Sequence, residues 1–151
     1  MIKRTYIILL FLACLFLAGC IFKINKYEKA TIVIKDKIIL VDVADTPYKL
    51  GKGLSSRQSL AENQGMIFIF PKNDLYKFWM KEMRFPLDII WIKDNKIVEM
   101  AQNMSVPSDD NIPAYKPQNE ASMVLEVGSG TIEKYNWQAG DDIQINFDRQ
   151  R

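Results

Sequence analysis

Residues 78–92 read FWMKEMRFPLDIIWI, a stretch in which aromatic residues, one proline and one aspartate interrupt apolar runs. Residues 76–81 alternate in character and place Trp79 between two lysines, which predicts a half-buried β-strand. Residues 87–92 predict a second strand, apolar on both faces except at Asp88. A carboxylate among such neighbours needs a partner, so the stretch predicts both a central sheet and a polar contact within it.

More strands are predicted on both sides of this stretch. Turn residues separate β-branched or apolar runs at 31–35, 38–45, 65–70, 97–101, 121–127 and 142–147. Short helices are predicted after Thr46, which precedes a proline, and at 131–137. Residues 104–119 contain three prolines and predict a long loop. We therefore predict a strand-dominated α+β fold, with a mostly antiparallel sheet curling to a barrel-like core and two short helices.

Composition limits the classes of function. The chain of 151 residues has 20 basic and 18 acidic residues, and two of the basic ones, Lys3 and Arg4, lie in a leader. The remaining 18 basic residues balance the 18 acids, so a nucleic-acid partner is not expected. Because the chain has no histidine, Ser-His and Cys-His catalysis are excluded and zinc or non-haem iron sites are disfavoured. We predict no metal and no cofactor.

Residues 1–19 have the form of a bacterial lipoprotein signal peptide. Basic residues precede an apolar run that ends in Leu17-Ala18-Gly19-Cys20 and is shorter than the ~20 residues of a transmembrane helix. This similarity implies a diacylglycerol on the sulfur of Cys20 and cleavage before it; an uncleaved anchor helix is the alternative. We expect residues 20–30 to form the lipidated cysteine and its tether, and residues 31–148 to form one domain, held in the cell envelope on the exported side of a membrane.

Several short motifs are spread over this domain. They are Ala44-x-Thr46, Gly53-Leu54-x-x-Arg57-x-x-Leu60, Gly65-Met66-Ile67-Phe68-x-Phe70, Phe78-Trp79-Met80-Lys81, Pro86-Leu87-Asp88-Ile89, Tyr115, Val124-Leu125-Glu126 and Gly140-Asp141. Together they resemble the bacterial and archaeal family known as domain of unknown function 192. The resemblance implies a compact, strand-dominated α+β domain, frequently exported, and no established activity. The chain departs from the family pattern at Lys49, Ser55 and Glu82, where an acid, methionine and asparagine are usual.

Six residues are candidates for one ligand-binding cleft: Arg57, Trp79, Lys81, Asp88, Tyr115 and Glu126. An aromatic ring with flanking charges suits a sugar or another polar compound of the envelope. In the alternative, structural interpretation, Trp79 and Trp91 cover the core and Asp88 or Glu126 pairs with Arg57. The pair predicted in that case is Arg57 with Asp88, because a shielded carboxylate fits a guanidinium group.

Three classes of function follow from these residues. The first is a small binding or accessory module of the envelope. Its partner would be a polar ligand such as a saccharide, or an envelope protein, in addition to the membrane lipid that holds it. The second is a hydrolase of envelope glycan that uses Asp88 and Glu126, whose carboxyl groups would then have to lie ~5 to ~9.5 Å apart. The third is a structural partner in envelope assembly. No catalytic residue is assigned.

Overall fold

The computed structural model describes residues 27–108 and 112–148, so the predicted signal peptide, Cys20 and most of the tether lie outside the described residues. Within them the chain forms nine strands and two helices. In order these are β1 (Glu28–Ile34), β2 (Lys37–Ala44), α1 (Pro47–Lys52), β3 (Gln64–Asp74), β4 (Phe78–Trp79), β5 (Leu87–Lys93), β6 (Lys96–Met104), β7 (Ala114–Tyr115), β8 (Ala121–Gly128), α2 (Thr131–Tyr135) and β9 (Ile143–Phe147). Neither of these helices is long and apolar enough to cross a membrane.

Seven strands form one mixed sheet in the order β6-β5-β8-β3-β2-β1-β9. All neighbours in it are antiparallel except β2 and β3, which run parallel and are connected through α1. Such a crossover is needed because a tight hairpin joins only antiparallel strands. β4 and β7 form a separate two-stranded sheet. The predicted strand-dominated class with two short helices is confirmed.

The predicted barrel-like closure is not confirmed, because the seven-stranded sheet stays open in the part of the chain that the structure describes. Its edge strands approach each other at one corner, where Lys96 and Asp142 form an isolated bridge. Two backbone hydrogen bonds of 2.8 Å support this corner, from Gly140 to Ile97 and from Ile143 to Asn95. The sheet is therefore strongly curved, with its two ends in contact at a single point.

Both faces of the sheet are buried at its central strands. On one face, here called the α2 face, Ile67, Ile90 and Leu125 pack with Ile132 of α2. On the other, here called the β4 face, the packed residues include Met66, Phe68, Leu87, Ile89, Trp91 and Val124, together with Phe78 of β4. Trp91 is fully buried there and its indole nitrogen donates a hydrogen bond of 2.8 Å to the carbonyl of Tyr76. Two apolar faces explain why the central strands are apolar throughout.

Candidate functional site

Two acidic side chains lie in one row across the β4 face. Asp42 of β2 is in register with Met66 of β3, and Met66 is in register with Glu126 of β8. Residues in register on neighbouring strands point to the same side of a sheet. The two carboxyl groups therefore flank the fully buried Met66, which belongs to the apolar cluster of this face.

Glu126 is buried without a protein partner for one of its oxygens. Glu126 is only 5% exposed, and its Oε2 has no hydrogen bond within residues 27–108 and 112–148. Burial raises the pKa of Glu126 to about 8, although the nearby charge of Arg57 opposes the shift. The group is therefore mostly a neutral carboxylic acid near pH 7, able both to donate and to accept a hydrogen bond.

Glycine keeps open the space in front of this carboxyl group. A Cβ atom on Gly53 would lie 3.3 Å from the ring of Phe68 and 3.9 Å from Oε2 of Glu126. Gly53 also has a φ of 50°, in the left-handed region where a side chain is unfavourable. A larger residue at this position would therefore fill the approach to Glu126.

Glu126 lines a cavity of about 360 Å³. Buried residues on its lining include Phe68 and Leu54, whereas Lys77, Trp79 and Lys81 on the same lining are exposed to solvent. We call five of the lining residues the rim: Lys52, Lys77, Trp79, Lys81 and Glu82. The cavity thus combines an apolar floor, one buried carboxyl group and a rim of one aromatic ring among charges.

β4 fixes the outward position of Trp79. Its neighbour Phe78 is buried and makes edge-to-face contacts with Phe68 at 4.9 Å and with Trp91 at 5.9 Å between ring centroids. Because successive residues of a strand point to opposite sides, anchoring Phe78 directs Trp79 outward, where it is 61% exposed. Trp79 therefore does not cover the core, contrary to the structural interpretation of the sequence.

Arg57 does not contact Asp88, so the predicted pair is wrong. Its guanidinium forms an ion pair with Asp42, and the ammonium of Lys29 approaches the other oxygen of the same carboxylate. These three side chains line a second cavity of about 260 Å³. The same signal that singled out Asp88, a lone acid in an apolar strand, also marks Asp42 between Val41 and Val43.

Asp88 is a structural residue on the α2 face. It is in register with Val127, whereas Glu126 is in register with Ile89, so the two acids point to opposite sides of the sheet. Asp88 is fully buried, and its oxygens accept hydrogen bonds from the backbone nitrogens of Asn103 at 2.8 Å and Ile132 at 2.9 Å. It thereby joins β6 to the first turn of α2. The hydrolase hypothesis that paired Asp88 with Glu126 is contradicted by this arrangement.

The family is shown by comparison with known proteins. Residues 29–145 match the model of DUF192, described as an uncharacterized ACR. The chain belongs to the DUF192 family. The predicted resemblance is thus confirmed for the domain.

Two solved structures resemble this DUF192 domain. One, described as a candidate transcription regulator from Sinorhizobium meliloti 1021, has a TM-score of 0.68 and 26% identity over 79% of this chain and 93% of its own. The other is a protein of unknown function from Novosphingobium aromaticivorans DSM 12444, with a TM-score of 0.66 and 28% identity over 77% of this chain and 83% of its own. No curated protein is significantly similar to the chain.

Tyr115 of the DUF192 domain supports a loop and does not line the larger cavity. Its hydroxyl donates a hydrogen bond of 2.9 Å to Glu99, and its ring centroid is 5.2 Å from that of Trp91. Glu99 also accepts hydrogen bonds from the backbone nitrogens of Gln118 and Asn119, both at 2.8 Å. Burial alone would raise the pKa of Glu99, but these hydrogen bonds outweigh burial and lower it.

Half of the predicted candidates therefore share a site. Trp79, Lys81 and Glu126 line the larger cavity, whereas Arg57, Asp88 and Tyr115 have other roles. The sequence interpretation did not select Lys52, Lys77 and Glu82, which complete the rim. The alternation around Trp79 could have indicated Lys77, because it lies two residues from Trp79 on the same face as Lys81.

Proposed function

We propose that this DUF192 protein is a lipid-anchored envelope protein whose domain binds a saccharide in the cavity lined by Trp79, Lys81 and Glu126. The observation that carries the proposal is the buried carboxyl group of Glu126, because this residue lines a cavity and its Oε2 has no partner in the described residues. A buried polar group without a partner costs about 1–3 kcal/mol. A ligand that supplies the missing hydrogen bond would recover this cost.

The remaining features of the cavity fit a sugar. Its volume of about 360 Å³ is near the lower end of the range of about 300–1,000 Å³ for small-molecule sites. Trp79 offers an exposed ring as a flat surface for the C–H groups of a sugar ring. The neutral carboxyl of Glu126 can exchange hydrogen bonds with a hydroxyl, and Lys81 can donate to a second polar group.

The leader supports the proposed location. The sequence ending in Leu17-Ala18-Gly19-Cys20 is typical of a lipoprotein precursor. The eight residues 20–27 would span at most about 30 Å when fully extended, so the anchored domain would stay close to the membrane. The regulator description of the Sinorhizobium relative is not part of this proposal. Outside the leader, the acidic and basic residues of the present chain balance, whereas a nucleic-acid-binding domain has an excess of basic residues.

A panel of neutral and acidic oligosaccharides, titrated into the full-length protein in non-ionic detergent, tests the proposal. We expect Trp79→Ala to weaken binding about tenfold, equivalent to ~1.4 kcal/mol, with little change in melting temperature because the ring is exposed. Tyr48→Ala is the matched control, since Tyr48 is 53% exposed and does not line the cavity. Absence of binding across the panel, or equal binding by Trp79→Ala, would overturn the proposal.

A further inference from the structure

The lysines of the rim differ from the other lysines of the domain in their contacts. The structure describes twelve lysines, and eight of them form ion pairs with acids in residues 27–108 and 112–148. The four without such a pair in this part of the chain are Lys52, Lys77, Lys81 and Lys116. Three of the four line one cavity, and only Lys116 lies elsewhere. Lysines without acidic partners in the described residues are thus concentrated at the proposed binding site.

The acids of the cavity do not cancel this charge. Glu82 is the one carboxylate on the rim, where it stands beside Lys81, so the rim keeps an excess of positive charge. Glu126 is the one acid on the buried part of the lining, and burial keeps it mostly neutral near pH 7. A cleft lined by one sign of charge attracts ligands of the other sign and retains them more strongly at low salt.

Resting on the proposed function, we infer that the ligand is an acidic saccharide. Its sugar ring lies against Trp79, its carboxylate or phosphate is bound between Lys77 and Lys81, and one hydroxyl reaches Glu126. Lys77 and Lys81 suit this role because each lies two residues from Trp79, is exposed and lines the same cavity, which places two ammonium groups on the lining that carries the stacked ring. Lysine binds carboxylate and phosphate alike as a compact point charge.

Calorimetry with matched ligand pairs tests this inference. The full-length protein in non-ionic detergent is titrated with galacturonic acid and with its methyl ester, and separately with glucose 6-phosphate and with glucose. Each pair differs in one anionic group, and the two pairs distinguish a carboxylate from a phosphate as the preferred acid. We expect at least one acid to bind about tenfold more tightly than its neutral counterpart, as two exposed charge contacts allow. This preference should shrink at high salt.

Variants locate the effect on the rim. The double substitution Lys77→Gln/Lys81→Gln should remove the preference for the acid, so that the acidic and the neutral member of each pair bind the variant with equal affinity. Lys116→Gln is the matched control, because Lys116 also has no ion pair in the described part of the chain but does not line the cavity. We expect this variant to bind as wild type does.

The outcomes separate this inference from the function on which it depends. Equal binding of the acidic and neutral ligands would overturn the acidic preference while leaving a saccharide site in place. Retention of the preference in the double variant, or an equal loss in Lys116→Gln, would also overturn the inference. No binding of any of the four ligands would overturn this inference, and the saccharide proposal falls with it if the wider panel also fails.

Discussion

Asp88 and Glu126 are neighbouring acids on adjacent strands, and their surroundings give them different roles. The oxygens of Asp88 accept two backbone hydrogen bonds on the α2 face. Glu126, on the β4 face, has one oxygen without a hydrogen-bond partner in residues 27–108 and 112–148. The one-residue offset between them in the register decides on which side each lies, and Glu126 lies on the side where it lines a cavity. A buried acid in a strand is thus a structural residue in one case and a candidate binding group in the other.

The first prediction concerns Asp88. Asp88→Ala leaves the backbone nitrogens of Asn103 and Ile132 without their acceptor, so we expect a loss of roughly 2–5 kcal/mol in the free energy of unfolding. Because Arg57 pairs with Asp42 on the other face, the losses in the double variant with Arg57→Ala should add. Urea denaturation of the two single variants and the double variant measures this. A double variant that loses much less stability than the sum of the two single losses would show that Asp88 and Arg57 interact.

The second prediction concerns the pH dependence that Glu126 produces. Its pKa rises from 4.5 in the unfolded chain to about 8 in the native state, so the native state binds more protons between these values. The resulting contribution to stability is fully present below pH 4.5 and is lost as the pH rises to about 8. Glu126→Gln keeps the shape without the titration. We expect the variant to gain stability relative to wild type as the pH rises from about 5 to 9, measured by thermal unfolding; a constant difference would contradict the prediction.

The sequence indicated that Asp88 is buried but not which groups it contacts, and Asp42 was not selected. Asp88 was correctly expected to be shielded among Ile90 and Ile92, because strand alternation alone shows which residues share its face. Its assignment to Arg57 failed, since pairing depends on strand order and on which side of the sheet each strand presents. Neither property can be derived from the local pattern, because a shift of one residue exchanges the two faces.

At the level of elements, the alternation around Trp79 predicted orientation better than extent. Phe78 is buried and Trp79 exposed, as expected, but β4 comprises only these two residues instead of 76–81. The short strand pairs with β7, which lies inside the predicted long loop 104–119. This pairing joins segments more than 30 positions apart in the chain, so the local sequence of either segment does not contain it.

The third prediction concerns Glu99, which fixes the loop that carries β7. Glu99 on β6 accepts hydrogen bonds from Tyr115, Gln118 and Asn119. Since Ala114 of β7 pairs with Trp79, releasing the loop should also loosen the rim of the cavity. We expect Glu99→Ala to increase amide exchange at residues 114–119 and to weaken saccharide binding while the main sheet stays protected.

Glu99 also provides a contrast to Glu126 in the direction of its pH effect. Burial opposes ionisation of Glu99, but hydrogen bonds from Asn119 and Tyr115 lower its pKa below the ordinary value of 4.5. Its contribution to stability is therefore present above pH 4.5 and is lost as the pH falls through the lowered native pKa. Lower protection of the amides at 114–119 on acidification, after correction for the slower intrinsic exchange at low pH, would agree with this direction. Unchanged exchange there in Glu99→Ala would show that the loop is held by other contacts.

For the whole molecule, the sequence predicted class and strand content but not connectivity. The apolar run at 65–70 was expected to be a central strand, and β3 lies between β8 and β2. The parallel pairing of β3 with β2 was not expected. It depends on α1 and residues 53–63, which carry the chain back to the end of the sheet where β2 begins, and local strand patterns do not show such a crossover. The cavity forms where this crossover meets β4, so its lining comes from four separate parts of the chain. Local motifs therefore indicated only three residues of this lining, Trp79, Lys81 and Glu126.

The last prediction concerns membrane attachment through Cys20. Each buried methylene of an acyl chain contributes about 0.8 kcal/mol, so two or three chains on one residue hold the protein stably where one chain holds it marginally. We expect Cys20→Ser to abolish incorporation of labelled palmitate and to leave an uncleaved precursor. Cys14→Ser is the matched control, because Cys14 lies inside the predicted leader and would be removed with it. Full labelling of Cys20→Ser would disprove a lipid anchor at this residue, and loss of labelling in Cys14→Ser alone would place the modification at the other cysteine.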